Sequence, residues 1–229
     1  MIYITGDTHG EQNRLIHIFQ NSGISWSAND YLIICGDFGF IFSGKEYETV
    51  FLDYLAEKIA PTVLFIDGNH ENFDLLNAYP VEIWRGGKIH KIRRNIIHLM
   101  RGQVFEIEGK SFFALGGAYS IDKRMRQENI TWWEHEMPSQ DEYDESIKNL
   151  AEHGNKVNYI LSHTAPSETL VKLYIRNIAE ELQLNTFLDY VRDIVVYDHW
   201  YFGHFHNDGY AWRNQTGVYY DLISIADNL

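Results

Sequence analysis

Five short stretches of this sequence carry side chains suited to holding a cation. Asp7-Thr8-His9 sets a carboxylate and an imidazole two positions apart, which in an extended segment aims both the same way. Two donors on one metal is the chemistry; a solvated loop yields the same triplet by chance. Gly36-Asp37 offers a second carboxylate beside a residue that lets the chain turn tightly, and it also reads as an ordinary turn. Gly68-Asn69-His70-Glu71 supplies a neutral carbonyl oxygen and an imidazole able to carry protons, although a helix cap would explain Asn69 as well. Ser162-His163 is either a ligand or a satisfied core histidine. Gly203-His204-Phe205-His206 repeats the extended spacing with two imidazoles, and here metal binding is the better reading.

The elements that must position these residues follow from hydrophobic periodicity. Strands are expected at Ile2 to Thr5, Tyr31 to Cys35, Thr62 to Ile66, Tyr159 to Leu161 and Trp200 to Phe202. Helices are expected at Glu11 to Asn21, Lys45 to Ile59 and Gln140 to His153, with two more between Glu168 and Ile194. In the middle of the chain, Val81 to Trp84, Lys88 to Ile92, Ile96 to Leu99, Gln103 to Glu108 and Ser111 to Leu115 read as short strands. Turns at Gly86-Gly87 and Gly109-Lys110 separate them. Gly217 to Ile225 reads as one closing strand. Short apolar runs alternating with amphipathic ones predict an α/β layered fold. Asp7, Asp37, Asn69-His70, His163 and His204 each follow one of the buried runs, so they can meet at one sheet edge.

The order D-x-H, G-D, G-N-H-E, H, G-H-x-H, each after a hydrophobic strand, resembles the calcineurin-like metallophosphoesterase superfamily, and the resemblance spans residues 5 to 206. It implies a layered β-sandwich of mixed sheets flanked by helices, in an αββα arrangement. It also implies one metal on Asp7, His9 and His206, a second on Asn69, His163 and His204, and Asp37 bridging both. His70 would lie beside the scissile phosphate, protonating the leaving oxygen or steadying the transition state, so His70 and Asp37 are the catalytic candidates. Oxygen and imidazole ligands without thiolate suit Mn, Fe, Zn or Co, with Mn the first choice in vitro. Two such cations can polarise a phosphoryl oxygen and acidify a shared water.

One departure bears on the substrate. Relatives acting as Ser/Thr protein phosphatases, or on dinucleoside polyphosphates, carry Asp-Arg shortly after the bridging aspartate, and that arginine clamps phosphate. Here the stretch is Asp37-Phe38-Gly39-Phe40-Ile41, without charge until Lys45. Lacking that bidentate anchor, the sequence favours phosphodiesters somewhat over a phosphatase-like monoester. Downstream, Gly116 to Ser120, Lys123, Arg124, Arg126 and Trp132-Trp133 admit two readings. One is a substrate loop, with Asn69, Tyr119, Arg124 and Arg126 touching substrate and aromatics stacking a base. The other is a loop tied to the core by its tryptophans. His17, His90, His98, His153 and His199 read as surface or packing residues.

Composition bounds the alternatives. With 229 residues, 45% hydrophobic and 15% aromatic, and with no linker or repeat, the chain reads as one domain over 1–229. A net charge of -13 argues against broad nucleic-acid binding and against a nuclease subunit. A small phosphorylated or nucleotide-like substrate is the expected partner. A single cysteine, Cys35, excludes an internal disulfide and a thiolate zinc cage, and it reads as a buried core residue. No apolar stretch reaches the ~20 residues of a membrane span, and nothing resembles a signal peptide, so a cytoplasmic enzyme is expected. A non-catalytic scaffold of the same fold would have lost ligands or the catalytic histidine; this chain keeps both. A closed structural zinc site fits poorly with so many oxygen donors.

Overall fold

The computed structural model describes residues 1–225. Its first half builds a seven-stranded sheet. β1 (Ile2–Thr5) leads through α1 (Gln12–Asn21) to β2 (Tyr31–Cys35), then through α2 (Glu46–Lys58) to β3 (Thr62–Ile66) and the short α3 (Phe73–Leu76). β4 (Val81–Trp84), β5 (Gly87–Arg93) and β6 (Ile96–Leu99) complete that side, and β7 (Gln103–Ile107) and β8 (Lys110–Leu115) open a second sheet. α4 (Gln140–Glu152), β9 (Lys156–Ser162), α5 (Ser167–Lys172), α6 (Leu182–Ile194) and β10 (Val196–Phe202) follow. β11 (Gly209–Tyr210), β12 (Gln215–Gly217) and β13 (Ile223–Ile225) end the described chain.

The sheet orders are β13-β1-β2-β3-β6-β5-β4 and β11-β12-β10-β9-β8-β7. β1, β2, β3 and β6 run parallel, as do β8, β9, β10 and β12, while the outer hairpins and β13 are antiparallel. Strand period two divides the apolar residues between layers. On β2, Tyr31, Ile33 and Cys35 face the core between the sheets, while Leu32 and Ile34 face the layer that holds Leu15 of α1 and Phe51 and Leu55 of α2. On β8, Phe112 and Ala114 face the same central core, and Phe113 and Leu115 face Leu150, Leu170 and Leu188 of α4, α5 and α6. A strand buried on both faces must be continuously apolar, which is why these runs lack polar alternation. The result is the expected α/β sandwich of two mixed sheets flanked by helices. Cys35 is fully buried in it.

Most element boundaries agree with the sequence reading; β1, β2, β3, β4 and β6 agree at both ends. Ser139 caps α4 in a reciprocal box with Glu142, its Oγ accepting the Glu142 N–H and its own N–H donating to Oε2 at 2.7 Å. Gly217 to Ile225 is not one strand. β12 and β13 belong to different sheets, and residues between them cross from one to the other. The side chains between them part company: Val218 enters the central core, Leu222 packs on the helix-side core, Tyr219 stacks on His206 and Tyr220 is exposed. His90 and His98 are core residues, their Nδ1 atoms 3.1 Å apart, with His98 Nε2 3.1 Å from buried Asp67. Among the described residues no helix is long and apolar enough to cross a membrane.

Phe105, fully buried in the central core, should be among the most costly residues to truncate. Phe105→Ala is expected to destabilise the chain by about 3–5 kcal/mol, read from the shift in urea midpoint.

Candidate metal centre

All the candidate ligands lie just beyond strand ends: Asp7 past β1, Asp37 past β2, Asn69 past β3, His163 past β9, and His204 and His206 past β10. Parallel strands put those exits on one edge of each sheet, and the two edges meet. His9 donates its backbone N–H to the Asp37 carbonyl at 2.7 Å, and Thr8 Oγ1 donates to the Phe38 carbonyl at 2.9 Å, tying the first two loops together. The His204 N–H donates to both Asp7 carboxylate oxygens, at 2.9 and 3.0 Å. The His70 N–H donates to Asp37 Oδ1 at 2.8 Å. Each carboxylate is thus aimed by a backbone donor from another loop.

Three glycines make this convergence sterically possible. A Cβ on Gly36 would fall inside the His163 ring, one on Gly68 inside the Asp37 carboxylate, and one on Gly203 against Asp7 Oδ2. The glycine before each motif is therefore the space in which a ligand from a different strand end sits. The D-x-H and H-x-H spacings do not act through an extended segment, as the sequence suggested. Asp7, His9, Asp37, His204 and His206 have φ of 44°, 48°, 50°, 69° and 48°. Left-handed backbone at non-glycine residues costs of the order of 1–3 kcal/mol each and collects at functional sites.

The side chains close on a small volume. His9 Nε2 lies 2.9 Å from His206 Nε2 and 3.7 Å from Asp37 Oδ2, and His206 Nε2 lies 3.7 Å from Asp7 Oδ1. His163 Nε2 is 3.4 Å from Asp37 Oδ2 and 3.2 Å from Asn69 Oδ1. Asn69 donates its amide to Ser120 Oγ at 3.1 Å, which turns its oxygen towards the centre. Ligand atoms lie within 4.8 Å of one another in three groups: Asp7, His9 and His206; Asp7, Asp37 and His163; and His9, Asp37 and His70. His204 adjoins them through its ring, 5.0 Å from that of His163.

The electrostatics are those of a cation site. Burial pushes the Asp7 carboxyl up to about 7, with Asp37 adding repulsion. Burial also opposes the charge on Asp37, but the His163 imidazolium beside it holds that carboxyl far below its ordinary value. Asp37 in turn outweighs the burial of His163 and pushes it up to about 10. Burial brings His204 down to about 3 and His9 to about 4, and lowers His206 and His70. The neutral imidazoles of His9, His204 and His206, the carboxylates and an oriented amide oxygen form a donor set that fits divalent cations. A cation would take the place of the His163 proton.

A family model for calcineurin-like phosphoesterases matches residues 1–208. The chain belongs to the calcineurin-like phosphoesterase family. That family is one of metal-dependent phosphoesterases. No curated protein matches the chain significantly. A solved structure described as a candidate 5'-nucleotidase from Staphylococcus aureus, in complex with alpha-ketoglutarate, is 13% identical with a TM-score of 0.46; the alignment covers 95% of this chain and 48% of that one. The chain thus spans about half the length of that structure.

Beside the phosphoesterase centre lies a cavity of about 480 Å³, lined by Asp37, Asn69, His70, His204 and His206 at one end. Tyr119, Ile121, Leu170, Ile175, Ile178 and Phe205 give it an apolar wall, and Arg126 and Arg176 add charge. Of the expected substrate residues, Asn69, Tyr119 and Arg126 line this cavity. Arg124 does not: it is exposed, on a one-turn helix between the lining residues Asp122 and Arg126. The tryptophans do not stack over the cavity either. Trp133 is buried and donates Nε1–H to Asp74 at 2.8 Å, while Lys123 Nζ sits 3.6 Å over the Trp132 ring. Both readings of this loop hold in part, since the tryptophans anchor it and Arg126 reaches the site. The arginine's Nη1 and Nη2 lie 3.1 and 3.2 Å from the two ring nitrogens of His70. Ser120 closes the Gly116–Ser120 stretch already singled out, whereas Arg176 had no motif to mark it in the sequence.

Gly68→Ala is the sharpest test of the convergence. A Cβ there strikes the Asp37 carboxylate and its backbone N, so the variant should lose bound metal and activity by displacing Asp37 and also melt at a lower temperature. Elemental analysis against a melting curve separates those effects.

Proposed function

We propose that this phosphoesterase holds two divalent ions and hydrolyses small phosphate esters, phosphodiesters at least as well as monoesters. The carrying observation is that Asp37 Oδ2 lies 3.7 Å from His9 Nε2 and 3.4 Å from His163 Nε2, so one carboxylate oxygen faces a donor of each proposed set. Asp7, His9 and His206 would hold one ion, Asn69, His163 and His204 the other, with Asp37 between them. Mn, Fe, Zn and Co all suit the donors, and Mn is the choice for reconstitution. Such a pair supplies Lewis acidity and an acidified water for in-line attack. The domain is taken as residues 1–229.

The protein's own contribution lies around the phosphoryl group. Asp37 is kept ionised and aimed by the His70 N–H. His70 is a donor to the reaction and not a ligand on this reading, although its nitrogens lie near His9 and Asp37. The Arg126 guanidinium against both ring nitrogens opposes a further cation there. Burial and the same guanidinium also disfavour a resting imidazolium, so His70 would pass a proton to the leaving oxygen only as negative charge builds beside it.

Substrate choice follows from what Arg126 has left to offer. Its Nε is paired with Asp122 at 2.7 Å and its Nη1 donates to the Thr131 carbonyl at 3.1 Å. Phe38, Phe40 and Ile41, in the stretch where relatives carry the clamp, are buried in the helix-side core. Little remains to grip a monoester dianion by two hydrogen bonds, while the apolar wall of the cavity can take the second substituent of a diester or a nucleotide-like group.

Titration of Mn²⁺ into the full chain should reach about two ions per chain; saturation at one overturns the two-ion reading. His206→Ala should weaken one binding step and Asp37→Ala both. On a panel of esters, bis(4-nitrophenyl) phosphate should match or exceed phosphoserine peptides in kcat/KM, and a clear phosphopeptide preference would reverse that order. His70→Ala should keep its metal and lose about 10²–10⁴-fold in turnover on alkyl-leaving-group esters. The loss should be smaller with nitrophenyl esters, which leave as stable anions. Metal loss in His70→Ala would make it a ligand.

A further inference from the structure

The segment that crosses between the sheets, after the family match ends at residue 208, returns to the metal centre. There the Tyr219 ring lies parallel to the His206 imidazole, centroids 4.4 Å apart and planes 9° apart. We propose that Tyr219 is a positioning residue that fixes the His206 ring plane and so stabilises the ion held by Asp7, His9 and His206. The proposal rests on the reading of His206 as a ligand.

His206 needs such help. Metal-binding histidines ordinarily donate their second ring N–H to a carboxylate or carbonyl, which fixes tautomer and orientation. His163 does so, its Nδ1 donating to the Cys35 carbonyl at 2.9 Å. Among the described residues no hydrogen bond reaches His206 Nδ1. The His206 side chain is also the most open of its group, 46% exposed against 24% for His9 and 0% for Asp7. A ring on an exposed loop, free to rotate about its own bonds, would lose conformational entropy on binding a cation. A second ring stacked on its face restricts that rotation beforehand.

The Tyr219 backbone is held at both its N–H and its carbonyl. Asp208 accepts the N–H groups of Tyr219, Tyr220 and Asp221 at 2.6, 2.9 and 3.0 Å, clamping the segment two residues from His206. The Tyr219 carbonyl accepts from Thr5 Oγ1 at 2.9 Å, from the Gly6 N–H at 3.4 Å and from Arg14. Arg14 also donates to the carbonyls of Gly6 and Asp7, both at 2.6 Å, and its guanidinium lies 5.0 Å from the Tyr219 ring centroid. A Cβ on Gly6 would strike the Val218 carbonyl, so the segment packs directly on the loop that carries Asp7. The same hydrogen bonds therefore set Asp7 and the ring against His206.

Release of Mn²⁺ from the loaded full chain into excess chelator tests this. Tyr219→Leu should accelerate one of two release phases about 10–100-fold, the usual cost of losing an outer partner, and leave the other unchanged. Tyr219→Phe, which keeps the ring and drops the hydroxyl, should behave as wild type. Wild-type release from Tyr219→Leu overturns the proposal. So does equal acceleration of both phases, which would mark a general loss of structure, and so does a Tyr219→Phe as fast as Tyr219→Leu. His206→Ala is the control. If it changes neither phase, the ligand reading fails and the proposal with it; if it accelerates one phase and Tyr219→Leu does not, the proposal alone fails.

Discussion

The His163 imidazole sits between the sheets at the point where their strand exits meet. A carbonyl can only accept, so Nδ1 donates to Cys35 at the end of β2, and Nε2 is left for Asp37 and Asn69. One side chain from the second sheet thus contacts the ends of two strands of the first. Lengthen that contact by the width of a methyl group and the donor set separates into two halves, each on its own sheet. The absence of a side chain at Gly36 keeps the contact short. Everything proposed about the chemistry depends on this one inter-sheet distance.

Behind it, the core has a matching division of labour. Alternate residues of β2 and β8 enter different layers, so the sheets are locked to each other and to their helices by the same strands that project the ligands. That packing can offset five left-handed ligand backbones, each costing about 1–3 kcal/mol. Asp67, two residues before Asn69, adds a polar lock. Burial disfavours its charge, but Arg101, within 2.7 Å, keeps it ionised, and Arg101 also donates to the carbonyls of His135 and Glu136. The loop that carries Ser120 and Arg126 is thereby joined to the strand end that carries Asn69.

Much of this was legible in the sequence because it is written in local pattern. Doubly buried strands are continuous apolar runs, and β1, β2 and β3 could be bounded from them alone. The polar residues that interrupt those runs are the ones that converge. What could not be read was long-range or conformational. Nothing local distinguishes Arg126, which reaches His70, from Arg124, which faces solvent two residues earlier. The D-x-H spacing suggested extended backbone because alternation is the simplest way to aim two side chains together; consecutive tight turns achieve it differently. Trp132 and Trp133 carry the right rings for stacking a base, yet burial and Asp74 claim one and Lys123 covers the other. The segment after β12 looked like a strand because its residues are apolar, but Val218 and Leu222 enter different layers while the backbone between the sheets covers the Asp7 loop.

The pairing of β1 with β13 bears on how the molecule is assembled. Ile2 pairs with Ile225, so a strand made early acquires its outer neighbour only after every candidate ligand has been synthesised. Until then its edge is open, and the Asp7 loop lacks the crossing segment that packs on it. Pairings that close so large a loop are slow to form. A growing chain would therefore carry all seven donors for some time without the arrangement that orders them, and maturation of the centre would be timed by the arrival of this late strand.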